Sequence, residues 1–170
     1  MRQKAPFSLS LKNLIYRLRK FEPVLQENLR DIILEHKKKF ADSVRMQLEE
    51  GYNGNNVPIA SYRPYKKRTI RRKLDEGKST VRVTLKDTGK FHRSLHLEAR
   101  HDGFYIVSDD KEGKVRHLIK KYRPEILKVS NENVKQILDK YVKPRLVKKL
   151  KAYLSYQAFK KDFYGTEFYE

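Results

Sequence analysis

Apolar positions recur at helical spacing near the start of the chain. Ser10 is a suitable N-cap for a first short amphipathic helix. A second helix is expected to begin at Pro23, because a proline in the first turn of a helix loses no hydrogen bond, and to end at Gly51. The apolar positions of the second helix are Leu25, Leu29, Ile32, Ile33, Phe40, Val44 and Leu48. The pattern therefore predicts a long N-terminal helix of about 27 residues, ~40 Å in length.

The middle of the chain changes to an alternation of apolar and polar residues, which is typical of strands with one buried face. The alternation covers residues 81–85 and then residues 95–99. Asp102-Gly103 is a strong signal for a two-residue hairpin turn, and residues 104–107 supply the return strand. The sequence therefore predicts a three-stranded antiparallel meander.

Helical spacing returns after residue 111 and is expected to break at Arg123-Pro124. Ser130 is a suitable N-cap for a long final helix, in which Pro144 predicts a kink or a break. The predicted fold class is α+β, a small antiparallel β-meander packed by a long N-terminal helix and a long, kinked C-terminal helix. We expect one domain over residues 1–158, with a basic loop at about 51–79, followed by an aromatic C-terminal tail over residues 159–170.

The net charge of the chain indicates more about its partners than its length does. The 170 residues include 40 Lys plus Arg against 21 Asp plus Glu, a net charge of +19 that favours a polyanionic partner. The absence of cysteine excludes a disulfide framework, a thiol nucleophile and a zinc site built on cysteine. No stretch resembles the ~20 apolar residues that a membrane span needs, so we expect no membrane partner.

One segment concentrates the positive charge beside two tyrosines, Tyr62 and Tyr65. Such a composition suits contacts to phosphates with some stacking on bases, while the alternative is a solvated face of a basic helix. No DNA-reading module is recognisable, so any contact is expected to be sequence-independent and made to the double-stranded backbone. The candidate nucleic-acid-facing residues are Arg63, Lys66, Lys67, Arg68, Arg71, Arg72 and Lys73.

Candidates for catalysis or metal binding are few. His92 and His96 stand four residues apart, but the alternation places His96 with Glu98 on the solvated face of a strand, so exposed surface histidines are expected. There is no glycine-rich phosphate loop and no nucleophile elbow. We therefore predict no enzymatic activity, no metal and no cofactor, with a small nuclease that uses His92, His96 or Asp102 as the remaining enzymatic alternative.

The C-terminal tail combines large rings with acidic side chains. Exposed rings of this kind favour association, so the tail is expected either to dock on a neighbouring subunit or to fold back on its own domain. The candidate subunit-interface residues are Phe159, Phe163, Tyr164, Phe168 and Tyr169.

The segment over residues 83–95, VTLKDTGKFHRSL, is similar to a motif of the tail-completion and neck (head-to-tail connector) proteins of tailed bacteriophages. There a strand is followed by Thr-Gly, a hydrophobic residue, Ser and a β-hairpin. The matching residues are Asp87, Thr88, Gly89, Phe91 and Ser94. A physical account fits the motif, since Gly89 allows a turn, Phe91 anchors a short helical turn to the core, and Ser94 leads into the hairpin. The resemblance covers roughly residues 50–130.

The resemblance implies a small α+β subunit of the virion, assembled in the host cytoplasm into a sixfold or twelvefold homo-oligomeric ring between portal and tail. Its partners would be neighbouring portal, neck or tail proteins, and double-stranded DNA would pass through the lumen. Together with the charge, this predicts a non-enzymatic virion structural protein with a basic face near the DNA channel. The alternative from another class is a free nucleic-acid-binding protein without sequence preference.

Overall fold

The computed structural model describes the backbone of residues 11–109 and 113–164, and the side chains of residues 19, 22–109 and 113–155. The chain forms two compact units. One consists of the residues up to Ile32 together with those from Val142 onward, and the other consists of residues 33–141. The prediction of one domain over residues 1–158 stays a prediction.

The N-terminal helices differ from the expected pair. Helix α1 covers Leu11–Glu35 and contains Pro23 in its interior, so the prediction that Pro23 begins a second helix is wrong. A proline in a helix interior removes its own hydrogen bond and crowds the carbonyl four residues earlier, yet here the turns on both sides of Pro23 continue the helix. The break falls at His36, which separates α1 from helix α2, Lys37–Glu49. The predicted N-cap Ser10 lies outside the described residues.

Helix α2 ends as its sequence predicts. Gly51 adopts a left-handed φ of 83°, its N–H donates to Leu48 O at 3.1 Å, and the N–H of Tyr52 donates to Gln47 O at 2.9 Å. This pair of bonds is a Schellman motif, which satisfies the last carbonyls of a helix and favours glycine. The chain is thereby turned into a loop that leads to the short helix α3, Ile59–Tyr62.

A two-stranded antiparallel hairpin forms the sheet in the described part of the chain. Strand β1, Leu95–Arg100, pairs with strand β2, Gly103–Ser108, and Leu97 faces Ile106 in the register. Because Arg100 pairs with Gly103, the turn residues are His101 and Asp102, one position before the predicted pair. Helix α2 packs against β1, and the core of residues 33–141 contains Phe40, Val44, Leu48, Phe91, Leu95, Leu97 and Ile106.

The α+β class is confirmed, but the expected third strand over residues 81–85 is absent from the described structure. The alternation predicted burial correctly, since Val83 and Leu85 are buried. The segment does not pair with a strand, because side chains bond to its backbone groups. Thr84 N donates to Tyr65 Oη at 3.1 Å, and Thr84 O lies 2.9 Å from His92 Nε2. Leu85 also has a left-handed φ of 53°, which no regular strand adopts. We call residues 78–87 the strap.

The remaining elements are helical. Helix α4 covers Lys67–Asp75, α5 covers Lys90–Ser94, and α6 covers Lys114–Tyr122 before a 3-10 turn at Pro124–Leu127. Helix α7, Asn131–Ile137, is capped as predicted by Ser130, whose Oγ accepts a bond from Asn133 N at 3.3 Å.

The predicted irregularity near Pro144 is present in the C-terminal helix. A π-helical turn, Leu138–Val142, joins α7 to helix α8, Lys143–Tyr164. A proline cannot donate to the carbonyl four residues earlier and clashes with it, and a wider turn relieves this conflict. Helix α8 continues past residue 159, where the aromatic tail was expected to begin. None of the described helices combines the length and the apolar composition that a membrane crossing requires.

Candidate nucleic-acid interface

Helix α4 and the turn before it present the basic segment at the surface. Lys66 has an extended conformation that begins the helix, and Gly77 closes its end with a φ of 65°. Six of the seven candidate cations are exposed, namely Arg63, Lys66, Lys67, Arg68, Arg71 and Arg72. In the described part of the chain, the first five of these make no ion pair. We call these five residues the α4 basic surface.

Arg72 is exposed but partly neutralised. Its Nη2 lies 3.0 Å from Asp87 Oδ1, and its Nε lies 3.9 Å from Glu76 Oε1. The first of these pairs connects α4 to the end of the strap. Arg72 therefore contributes less free positive charge to the surface than its neighbours do.

Lys73 does not belong to the exposed set that the sequence predicted. Its residue is 4% exposed, and its ammonium donates to Lys86 O at 2.8 Å and lies 5.1 Å from the ring centroid of Tyr65. A charge used in this way is not available to a phosphate. Lys73 is therefore not a candidate phosphate contact, and its hydrogen bond instead joins α4 to the strap.

The two tyrosines of the segment also hold the fold together. Tyr65 Oη accepts the N–H of Thr84, and Tyr62 Oη accepts a bond from Asn53 Nδ2 at 3.1 Å. The guanidinium of Arg123 lies 5.3 Å from the Tyr62 ring centroid, and the ammonium of Lys73 lies 5.1 Å from the Tyr65 ring centroid. Each half-buried ring already contacts a cation of this chain. The surface therefore presents positive charge that can contact phosphates, whereas the ring faces are less available for stacking on bases.

Within the segment that resembles the phage motif, the turn at Gly89, the short helix around Phe91 and the hairpin after Ser94 are present, whereas the strand expected before Thr88 is not formed in the described structure. Gly89 has a φ of 76°, and a Cβ at this position would lie 2.7 Å from Arg93 Nη1. Phe91 is 2% exposed, and Ser94 Oγ donates to Phe91 O at 2.8 Å. Ser94 Oγ also lies 2.5 Å from Ser108 Oγ, which joins the first and last residues of the hairpin segment.

His92 is buried, which corrects the expectation that the histidines lie at the surface. Its residue is 4% exposed, Nε2 lies 2.9 Å from Thr84 O, and Nδ1 lies 3.9 Å from Glu49 Oε1 with no hydrogen-bond partner. Burial lowers the pKa of His92, since a charged ring is penalised away from water. His92 precedes the strand and lies in the short helix α5, so the alternation of β1 does not determine its exposure.

The other candidates for catalysis occupy separate environments. His96 is half-exposed, as the alternation predicted, with Nδ1 3.3 Å from Asp109 Oδ2, and His101 is 95% exposed in the hairpin turn. Asp102 accepts a bond of 2.7 Å from Tyr105 Oη. Among the described residues, no group of three or more histidine or acidic side chains is arranged to hold a metal ion.

The five interface residues predicted in the tail lie outside the described side chains. Phe159, Phe163 and Tyr164 belong to α8 by their backbone, whereas Phe168 and Tyr169 follow its end. Their role therefore stays a prediction.

The sequence patterns did not identify two polar residues of α2, Arg45 and Gln47, whose side chains hydrogen-bond to the segments packed around that helix. Arg45 donates from Nε to His92 O at 2.7 Å and from Nη2 to Leu95 O at 2.5 Å, and it pairs with Asp42. Gln47 is buried and makes three hydrogen bonds to the start of α7 and the loop before it. A polar residue among the buried positions of a helix is a sequence signal for such contacts, but it does not name the partner.

Comparisons of the chain with family models, with curated proteins and with solved structures give no match. The fold and the site define an α+β protein with a short, exposed basic helix that is fastened to the strap.

Proposed function

We propose that this chain is a non-enzymatic structural subunit of the head-to-tail junction of a tailed-phage particle. Its subunits form a ring, and the α4 basic surface faces the double-stranded DNA in the channel. The observation that carries the proposal is the α4 basic surface, five exposed cations without ion pairs among the described residues. The resemblance of residues 83–95 to the phage motif supports the virion role.

The arrangement of the basic surface favours contact with the phosphate backbone. The cations lie on a turn and a nine-residue helix, and Lys73, Tyr65 and Arg72 fasten that helix to the strap. A rigid array of this kind neutralises phosphates without reading bases. If all five cations displace counterions from B-DNA, the logarithm of the binding constant falls with the logarithm of salt with a slope of about −4.5.

Sequence-independent contact suits a channel through which any stretch of a genome must pass. Bonds to base edges would hold particular sequences, whereas contacts to phosphates are equivalent at every position. The virion role therefore asks only for charge on a rigid support, and the described site supplies that without a catalytic group.

The α4 basic surface also favours a second candidate, a free nucleic-acid-binding protein without sequence preference. The two functions differ in assembly, since only the first requires a closed ring. Negative-stain microscopy of the purified full chain, alone and with portal rings, separates them: rings support the junction subunit, and single particles under both conditions favour the free binder.

Charge reversal tests the basic surface directly. We expect Arg68→Glu/Arg71→Glu to lower the affinity for double-stranded DNA at least tenfold at 50 mM salt and to make the salt slope shallower. The matched control is Arg116→Glu/Lys120→Glu on α6, which changes the net charge equally at exposed positions. Fluorescence anisotropy with two unrelated duplexes of equal length measures both quantities. Equal losses in the two double variants would show that only net charge matters and would overturn the assignment of α4.

A further inference from the structure

Residues 33–141 contain an apolar groove of about 630 Å³ beside the hairpin. Its volume lies within the ~300–1,000 Å³ that is typical of binding sites. Small Ala99 faces Phe104 across the hairpin, and Phe104 is left 37% exposed. We call this site the hairpin groove, and its lining includes Phe40, Leu97, Phe104, Ile106, Leu127 and Val134. Such a lining fits aromatic or aliphatic side chains.

Positive charge lies at the margin of the hairpin groove. Lys128 belongs to its lining, and its ammonium donates to the neutral amide oxygen of Asn55 at 2.8 Å. Within the described residues, Lys128 is not paired with a carboxylate. A ligand that joins apolar rings to acidic groups would therefore match the groove and its margin.

The last six residues of the chain have this chemistry. The terminal segment, residues 165–170, has the sequence GTEFYE, with two adjacent rings, two acids and no cation. All 40 cations of the chain precede it. The segment is therefore acidic and aromatic within a strongly basic chain, which favours its association with a basic surface that has an apolar centre.

Chain length favours a second copy as the source of the segment. Helix α8 has 22 residues and is ~33 Å long, whereas six extended residues reach at most ~20 Å. The segment therefore cannot fold back along α8 as far as the first turn of that helix. A groove and a segment are two different patches, so a contact between copies is heterologous and can repeat until a ring closes.

We propose that the hairpin groove binds the terminal segment of a second copy of this chain. Phe168 and Tyr169 enter the groove, while an acidic side chain of the segment, Glu167 or Glu170, lies against Lys128. The inference rests on the proposed function in supplying the subunit contact of the ring, but the contact itself requires neither DNA nor a portal.

The test compares oligomeric states of full-length variants by size-exclusion chromatography with light scattering. The segment variant is Phe168→Ser/Tyr169→Ser with Thr166→Ala as control, and the groove variant is Phe104→Ser with Met46→Ser as control. Met46 is 61% exposed and does not line the groove. We expect the segment and groove variants to be monomers, and the wild type and both controls to remain oligomers. Lys128→Glu, at an exposed position on the margin of the hairpin groove, is the second groove variant if Phe104→Ser does not fold.

Mixing gives the decisive result. The segment variant keeps an intact groove and the groove variant keeps an intact segment, so an equimolar mixture should form dimers with one productive contact and no larger species. A mixture that stays monomeric, or a segment variant that still forms the wild-type oligomer, overturns the inference. If the segment variant still forms the wild-type oligomer and that oligomer is a ring, the groove contact is refuted but the proposed function is not. Dimers in the mixture without wild-type rings would instead support the contact and contradict the proposed function.

Discussion

The ammonium of Lys73 donates a hydrogen bond of 2.8 Å to the backbone carbonyl of Lys86, and it does so from the buried side of a helix whose other cations face solvent. This bond fastens α4 to the strap. A second bond of the strap, from Thr84 N to Tyr65 Oη, lies next to it, since Tyr65 also contacts Lys73. The α4 basic surface is therefore held in place by a buried lysine of the same helix that is not itself part of that surface.

Replacing Lys73 should reduce stability far more than replacing an exposed lysine. Lys73→Met keeps most of the aliphatic chain but leaves Lys86 O without its donor, and a hydrogen bond to a charged group is worth about 1.5–3 kcal/mol. The control Lys67→Met, on the exposed side of α4, should change the free energy of unfolding by less than about 0.5 kcal/mol. Urea denaturation followed by circular dichroism measures both. Equal small effects would mean that Lys73 does not hold the strap.

The distinction between Lys73 and its neighbours shows what the sequence could not supply. In the sequence, Arg71, Arg72 and Lys73 are three equivalent charges, and only the position of the strap decides which of them is buried. The strap itself was predicted as a strand, because the alternation at residues 81–85 reports burial and not pairing. Whether such a segment joins a sheet depends on its partner, and here the partner is the side chain of a tyrosine nineteen residues earlier.

Features that depend on neighbouring residues were predictable. The helix end at Gly51, the cap at Ser130 and the turn at Gly89 each follow from a local requirement of the backbone, and each is present. Pro23 is the counterexample, since the same residue type is compatible with a helix start and, at the loss of one bond, with a helix interior. The hairpin groove could not be foreseen, because its lining comes from several separate elements.

Gly89 should resist substitution for two separable reasons. Gly89→Ala places a Cβ in a left-handed conformation, which costs about 1–2 kcal/mol, and presses it against Arg93, whose Nη2 donates to Thr88 O at 3.2 Å. Gly77→Ala is the matched control, because Gly77 has a φ of 65° and open space around it. We expect both variants to lose stability in urea denaturation, and Gly89→Ala to lose about 0.5–1.5 kcal/mol more, the value of the displaced hydrogen bond. Identical losses would assign the whole effect to backbone strain.

Gln47 joins α2 to the start of α7, and its removal should be severe. Its Oε1 accepts bonds from Ser130 N at 2.8 Å and from Asn133 Nδ2 at 2.9 Å, while its Nε2 donates to Lys128 O at 3.1 Å. Gln47→Met keeps the length of the side chain but leaves the buried Ser130 N–H unpaired, which costs about 1–3 kcal/mol for each such group. Gln136→Met, at an exposed position of α7, is the control.

The measurement for Gln47 is hydrogen exchange of the amides around Ser130, together with the midpoint of urea unfolding. Faster exchange at residues 130–134 with a lower midpoint is the expected outcome in Gln47→Met. Unchanged exchange there would show that the three bonds do not hold the start of α7.

His92 should make stability depend on pH in a predictable direction. Burial lowers its pKa in the folded chain, against partial opposition from Thr84 O and Glu49, while the charges of Lys86 and Arg45 lower it further. The unfolded chain, with His92 near its ordinary pKa of about 6.5, therefore takes up a proton before the folded chain does on acidification. The contribution of His92 is complete above pH ~6.5 and is lost as the pH falls through the lower, folded-state pKa.

Thermal unfolding at a series of pH values between 7.5 and 5.5 measures this dependence. His92→Gln keeps a donor for Thr84 O but cannot be protonated, so its unfolding temperature should fall less on acidification than that of the wild type. His101→Gln removes a histidine that is 95% exposed and should keep the wild-type slope. A slope that is unchanged in His92→Gln, or flattened equally in His101→Gln, would contradict the assignment. The expected pair of slopes would identify His92, which α5 holds against α2 and the strap, as the group that carries the pH dependence.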